Sequence, residues 1–170
     1  MVLGTIVDKH KSPIAVERLW KALICDAHNF MPKALPQVIS SIDLLEGDGG
    51  VGTIKKFNFT EVVKEFRYVK DRVEIMDNEN HVFRYSIVEG GILGFKVNSY
   101  VAEVTFTSSS DGDCFAKLKI EYESLGDSLL SEEDVRNIKQ GIQTMVKAAE
   151  RFLLANPNAY AQGLEEVRTK

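Results

Sequence analysis

The segment Gly47-Asp48-Gly49-Gly50-Val51-Gly52 has the spacing G-x-G-x-x-G, which cradles a pyrophosphate when it joins a strand to a helix N-terminus. Here it is followed by TIKKFNF, a strand-like run that offers no helix dipole to an anion, and no G-K-[ST] is present. Dinucleotide and ATP binding are therefore set aside. Gly47, Gly49, Gly50 and Gly52 permit positive φ, so the spacing predicts a rigid hairpin turn. The alternative is an anion-sized concavity of backbone N–H groups, helped by Lys55 and Lys56. Cys25 and Cys114 lie far apart, outside any CxxC pattern and within apolar stretches, and are expected to be reduced and structural. His10, His28 and His81 have no metal-ligand spacing, and no Ser-His-Asp, Cys-His or HExxH arrangement is recognisable. No metal and no cofactor are expected.

The elements that must position any site follow from hydrophobic period. Residues 2–10 read as a first strand, and Ser12-Pro13 as a helix N-cap with proline at the first helical position. In AVERLWKALIC, Val16, Leu19, Trp20, Leu23 and Ile24 recur at the three-and-four spacing of one buried helical face. A second short helix is predicted around His28 to Leu35. From Val38 to Tyr122 the period changes to two, with turns at EGDGGVG, DNEN, EGG and SSSDGD, which predicts a meander of about six strands. Its clearest strand alternates Cys114, Ala116, Leu118, Ile120 and Tyr122 with Phe115, Lys117, Lys119 and Glu121.

The last element opens with Ser131 and Asp134 in capping-box spacing, and Val135, Ile138, Ile142, Met145, Ala149 and Phe152 form one apolar stripe up to Asn156-Pro157. A helix of about 25 residues reaches on the order of 37 Å, enough to cross the concave face of a sheet. No strand-helix-strand unit repeats, so the class is α+β with an antiparallel sheet. One domain over residues 1–160 is expected, with residues 161–170 as a mobile tail.

With 170 residues, 44% of them hydrophobic and 27% charged, the chain is ordinary globular material with enough length for a single core. The net charge of -4 removes the electrostatic attraction that anchors most nucleic-acid binders, so nucleic acid is not expected as a main partner. MVLGTIVDKHKSP has no apolar h-region, and no uninterrupted apolar run reaches about 18 residues. A cytoplasmic monomer with no membrane span is the expectation.

Four segments carry a specific resemblance: LEGDGGVGTIKKFNF, FRYVKDRVEIMDNEN, YSIVEGG and ERFLLANPNAY. Together, and in this order, they resemble the hallmark segments of the plant pathogenesis-related class 10, Bet v 1-type, proteins over residues 1 to about 160. The resemblance implies a helix-grip fold, in which a seven-stranded antiparallel sheet wraps around a long C-terminal helix and two short helices close one end. It also implies a large internal cavity.

Alternation puts Phe83, Tyr85 and Ile87 on one strand face and Tyr100, Ala102 and Val104 on another, both directed at the helix. Pattern alone reads these stripes as solid core. The resemblance reverses that reading, and Tyr85, Tyr100 and Asp71 then supply the few polar groups a ligand site needs. Leu23, Met31, Ile39, Phe57, Phe59, Val69, Ile138, Gly141, Ile142 and Met145 match further cavity positions of the family or face the same space by period. Gly141 inside a helix either keeps space open for a ligand or lets helix and sheet approach closely.

The resemblance implies a binding protein for a small hydrophobic plant metabolite, such as a flavonoid, a cytokinin or other hormone, or a sterol-like molecule. Three activities of relatives provide alternatives. Ribonuclease activity has been attributed to two glutamates and a tyrosine, at positions that read Asn98, Glu150 and Phe152 here. Enzymes of alkaloid metabolism use a lysine and acidic residues in the cavity, whereas alternation turns Lys117 and Lys119 outward. Abscisic acid receptors signal through a gate of the type SGLPA and a latch of the type HRL; this chain has EGGIL at the gate and no HRL. The expected function is ligand binding without catalysis, with an enzyme of specialised metabolism as the runner-up.

Overall fold

The computed structural model describes residues 1–161, so the tail expected over 161–170 lies, apart from Ala161, outside the described residues. Seven strands form one antiparallel sheet in the order β1-β7-β6-β5-β4-β3-β2. They are β1 (Leu3–Ser12), β2 (Ile39–Glu46), β3 (Ile54–Phe59), β4 (Tyr68–Asp77), β5 (Val82–Gly90), β6 (Val97–Ser108) and β7 (Cys114–Ser124). From β2 to β7 each strand pairs with its sequence neighbours, as short turns dictate, and β1 closes the other edge against β7. Register shifts interrupt the ladders at Ile39/Ser41, Leu44/Glu46, Lys70/Asp71, Val73/Ile75 and Val97/Ser99. Each inserts a local bend.

Three helices complete the fold: α1 (Val16–Trp20), α2 (Ala27–Ala34) and α3 (Glu132–Ala155). The N-cap expected at Ser12 is corrected. Ser12 still pairs with Cys114 in the β1–β7 ladder, and its hydroxyl accepts from Ile14 N at 3.2 Å, closing a turn that delays the helix. Helix α1 starts at Val16 after Ala15, which makes no side-chain cap. It then widens into a π-helical turn, Lys21–Cys25, where the Asp26 amide donates to the Lys21 carbonyl at 2.9 Å. Trp20 at the end of α1 and Ala22 and Ile24 in the π-helical turn are all buried.

Ser131 caps α3 as its spacing predicted, its hydroxyl accepting from Asp134 N at 3.1 Å, with Glu132, Glu133 and Asp134 favourably placed in the first turn. At the other end Arg18 takes the exposed carbonyls. Its guanidinium donates to Leu153 O and Asn156 O at 3.0 Å and to Ala159 O at 3.1 Å. Phe152 and Tyr160 meet Phe30 edge-on, with ring centroids 5.4 and 5.5 Å apart. Trp20 donates to Asn78 Oδ1 at 2.8 Å and packs edge-on against His81 and Phe106, tying α1 to the β4–β5 hairpin. This end of the molecule is therefore a packed core.

Candidate functional site

Under the rest of α3 the interior is hollow. Two cavities, of about 170 Å³ and 360 Å³, lie between the helices and the concave face, and Tyr85, Ile142 and Met145 line both. The smaller is roofed by α1, the π-helical turn and α2 through Leu23, Ala27 and Met31, with Phe57, Phe83 and Leu118 rising from the sheet. The larger lies beneath the N-terminal half of α3, between Phe59, Val69, Ile87 and Tyr100 of the sheet and Ile138 of the helix. Strand alternation accounts for the walls, since inward positions of β3, β4 and β5 repeat every second residue and carry aromatic or aliphatic groups, with Lys55 and Asp71 as the charged exceptions.

The polar groups are few and deeply placed. Lys55 and Asp71 face each other across the β3–β4 ladder, 5% and 6% exposed, and both line the smaller cavity. Burial pushes the Asp71 carboxyl up to about 6, opposed by the Lys55 charge, while burial lowers the Lys55 ammonium against the pull of Asp71. Asp71 Oδ1 accepts no hydrogen bond. Lys55 Nζ lies over the rings of Phe83 and Phe57, 5.2 and 5.9 Å from their centroids. Tyr85 borders both spaces from the sheet side, and Tyr100, its ring centroid 6.5 Å away, borders the larger. Burial drives the Tyr85 phenol well above its usual value, with Tyr100 and Asp71 adding to the effect, and raises Tyr100 to about 12.

Of the residues expected around this space, Leu23, Met31, Phe57, Asp71 and Phe83 line the smaller cavity, as does Val104. Phe59, Val69, Ile87, Tyr100, Ile138 and Gly141 line the larger. Ile39 and Ala102 line neither. Both are fully buried in close-packed clusters, where their inward faces meet side chains instead of space. Gly141 does not mediate close packing: it is exposed, and a Cβ built there meets nothing within 4 Å.

Lys55, expected beside the glycine loop, instead lines the smaller cavity, because it has the parity of Phe57 and Phe59 and so shares their inward face. Val63 and Phe66, which border the larger cavity from the β3–β4 connection, carried no periodic signal.

The glycine loop is a hairpin turn. Gly47, Gly49 and Gly52 have φ of +85°, +111° and +88°, and a Cβ at Gly47 would come within 2.6 Å of Thr53 Oγ1. Its amides are engaged internally: Gly49 N donates to Thr53 Oγ1, Gly50 N to Asp48 Oδ1 and Gly52 N to Val73 O. These three amides already have partners, and Lys55 is turned into the smaller cavity while Lys56 Nζ lies 5.0 Å from the Tyr68 ring centroid.

The remaining candidates make contacts within the fold, and His10 also lines the smaller cavity. Both cysteines are reduced, and burial lifts the Cys114 thiol to about 11. His10 contacts Glu150, His81 contacts Glu17 at 2.8 Å, and His28 contacts Asn29 at 3.2 Å. Asn98, Glu150 and Phe152 do not converge. Asn98 reaches Ser124 at one end of β7, Glu150 meets His10 near the other, and Phe152 packs on Phe30. Lys117 and Lys119 are exposed on the outer face of the sheet. Gly91 and Ile92, from the segment expected at a gate, border the larger cavity. Among the described residues, no helix is long and apolar enough to cross a membrane.

A curved sheet closed by helices over an apolar, sparsely polar interior defines a helix-grip protein with the architecture of a small-molecule binding domain. The family model described as "Pathogenesis-related protein Bet v 1 family" matches residues 1–156, and the chain belongs to that family. It is 40% identical over 149 residues to the major pollen allergen Bet v 1-M/N of Betula pendula, covering 88% of this chain and 92% of the relative. With the major strawberry allergen Fra a 1-2 of Fragaria ananassa it shares 42% over 160 residues, covering 94% and 99%. Among solved structures, Ara h 8.0201 superposes with a TM-score of 0.80 at 28% identity, over 91% of this chain and all of that one. Norcoclaurine synthase from Thalictrum flavum, in complex with dopamine and hydroxybenzaldehyde, shares the fold with a TM-score of 0.70 at 22% identity, over 91% and 88%.

Proposed function

We propose that the protein is an intracellular, monomeric carrier that holds a small hydrophobic plant metabolite in its interior without transforming it. The ligand class is flavonoid, cytokinin or other hormone, or a sterol-like molecule. The observation that carries this reading is the pair of apolar cavities meeting at Tyr85, Ile142 and Met145. The larger, at about 360 Å³, falls in the range of small-molecule sites. Apolar walls supply affinity, and the two tyrosines orient a ligand hydroxyl or carbonyl.

The test is binding of the fluorescent probe ANS to the native protein, expected at micromolar concentration and displaced by plant phenolics or cytokinins. Tyr85→Phe should lower affinity for hydroxylated ligands while changing stability by about 1 kcal/mol or less. A folded protein that binds neither probe nor phenolic would sink the carrier reading.

A further inference from the structure

We propose that Lys55 is a carbonyl-reactive amine, and that the smaller cavity captures aromatic aldehydes reversibly as an imine on Lys55 Nζ with Asp71 as the proton-transfer partner. Among the described residues Lys55 is the buried lysine, and its side chain runs along the cavity wall with Nζ over Phe57 and Phe83. Asp71 stands opposite it in strand register, and Oδ1 accepts no hydrogen bond although it is buried. The carboxyl therefore has an oxygen to offer to a third group. That third group must be compatible with both residues: a ligand carboxylate would attract Lys55 but would be repelled by Asp71. A neutral carbonyl carries no charge to conflict with either.

The surroundings favour the chemistry. An amine must be unprotonated to attack, and burial moves both groups toward their neutral forms, the amine free and the carboxyl protonated. In the first step the Lys55 nitrogen bonds to the carbonyl carbon, and one of its protons passes to the carbonyl oxygen, giving a carbinolamine. Asp71 then donates a proton to the hydroxyl, which leaves as water, and recovers a proton from nitrogen as the C=N bond forms. Nothing is oxidised or reduced. The aromatic part of the aldehyde would be held by Phe57, Phe83 and Leu23.

This inference rests on the carrier reading, since the aldehyde must enter the cavity. The experiment incubates the folded protein with 2-naphthaldehyde and sodium cyanoborohydride, which converts any imine into a stable secondary amine, and locates the label by peptide mass spectrometry. ANS binding is measured on the same sample. Lys55 is expected to be labelled at least tenfold faster than exposed Lys119, despite being the less accessible amine. Labelling of Lys55 no faster than Lys119 overturns the proposal: if ANS still binds, only the imine chemistry falls, and if ANS fails as well, both readings fall. Lys55-dependent binding of 2-naphthoate without aldehyde trapping also overturns it, making Lys55 a charge anchor. Asp71→Asn, checked for fold by circular dichroism, separates proton transfer from electrostatics. Removing the carboxylate leaves more of the amine unprotonated, so a purely electrostatic Asp71 predicts faster labelling. The proposed role predicts labelling at least tenfold slower.

Discussion

The two halves of α3 carry the same apolar stripe and pack in opposite ways. Toward the C-terminus Ala149 and Leu153 are fully buried, Phe152 abuts Phe30, and Arg18 ties down the last carbonyls. Toward the N-terminus Val135, Ile138, Ile142 and Met145 fall on the same face of the helix but remain half-buried, because cavity lies beneath Ile138, Ile142 and Met145. The C-terminal half seats on buried side chains, whereas the N-terminal half, tied to the sheet by Asp134 with Lys96 and by Gln143 with Asp8, spans cavity between those contacts. A hydrophobic period therefore reports which way a face points; whether it touches anything depends on how far the opposing strands bend away.

The contrast is broken most directly at the packed end. Leu153→Ala should cost about 3–4 kcal/mol in urea unfolding, because it opens a void where none exists. A loss below about 1.5 kcal/mol would mean that the C-terminal half is also loosely seated.

Asp71 tests the hollow interior through pH. Its carboxyl titrates near 6 in the fold against an ordinary 3.8, so between these values the folded state holds the extra proton. The stability contributed by the protonated form is complete below about 4 and is lost as pH rises through 6. At 1.36 kcal/mol per pH unit this corresponds to at most about 3 kcal/mol. Asp71→Asn removes the penalty but also the negative charge facing Lys55, so a net gain of about 1–2 kcal/mol over wild type is expected at pH 7, vanishing at pH 4. A gain independent of pH would contradict this account.

Met145→Ala probes the boundary of both cavities. Beside existing space it should cost roughly 1–2 kcal/mol, toward the low end for such truncations, and should admit bulkier ligands in competition with ANS. A loss above about 3 kcal/mol with unchanged ligand size would indicate a filled core. The smallest effect is expected at Gly141, where a methyl group meets nothing: Gly141→Ala should stabilise by about 0.5–1 kcal/mol through helix propensity, visible as a raised midpoint of urea unfolding. Destabilisation would show that the helix approaches a neighbour there.

Much of the fold was legible because local chemistry and global architecture agree. The alternation of Cys114 to Tyr122, the spacing from Val135 to Phe152 and the Ser131 cap each specify an element and its buried face. The glycine loop and the absence of strand-helix-strand units led to antiparallel pairing. Boundaries were less legible where tertiary contacts outbid local signals: Ser12 looked like a cap but continues the β1–β7 ladder, and the π-helical turn at Lys21–Cys25 has no local signature. By itself the sequence determined which residues point inward, including Lys55, whose parity with Phe57 was present all along. The tertiary structure alone decided which inward residues meet side chains, as Ile39 and Ala102 do, and which meet space, as Tyr85 and Met145 do. The physical reason is that alternation sets direction through backbone geometry within one strand or helix, while distance across the interior is set by sheet bending and helix anchoring, to which residues far apart in the chain contribute together.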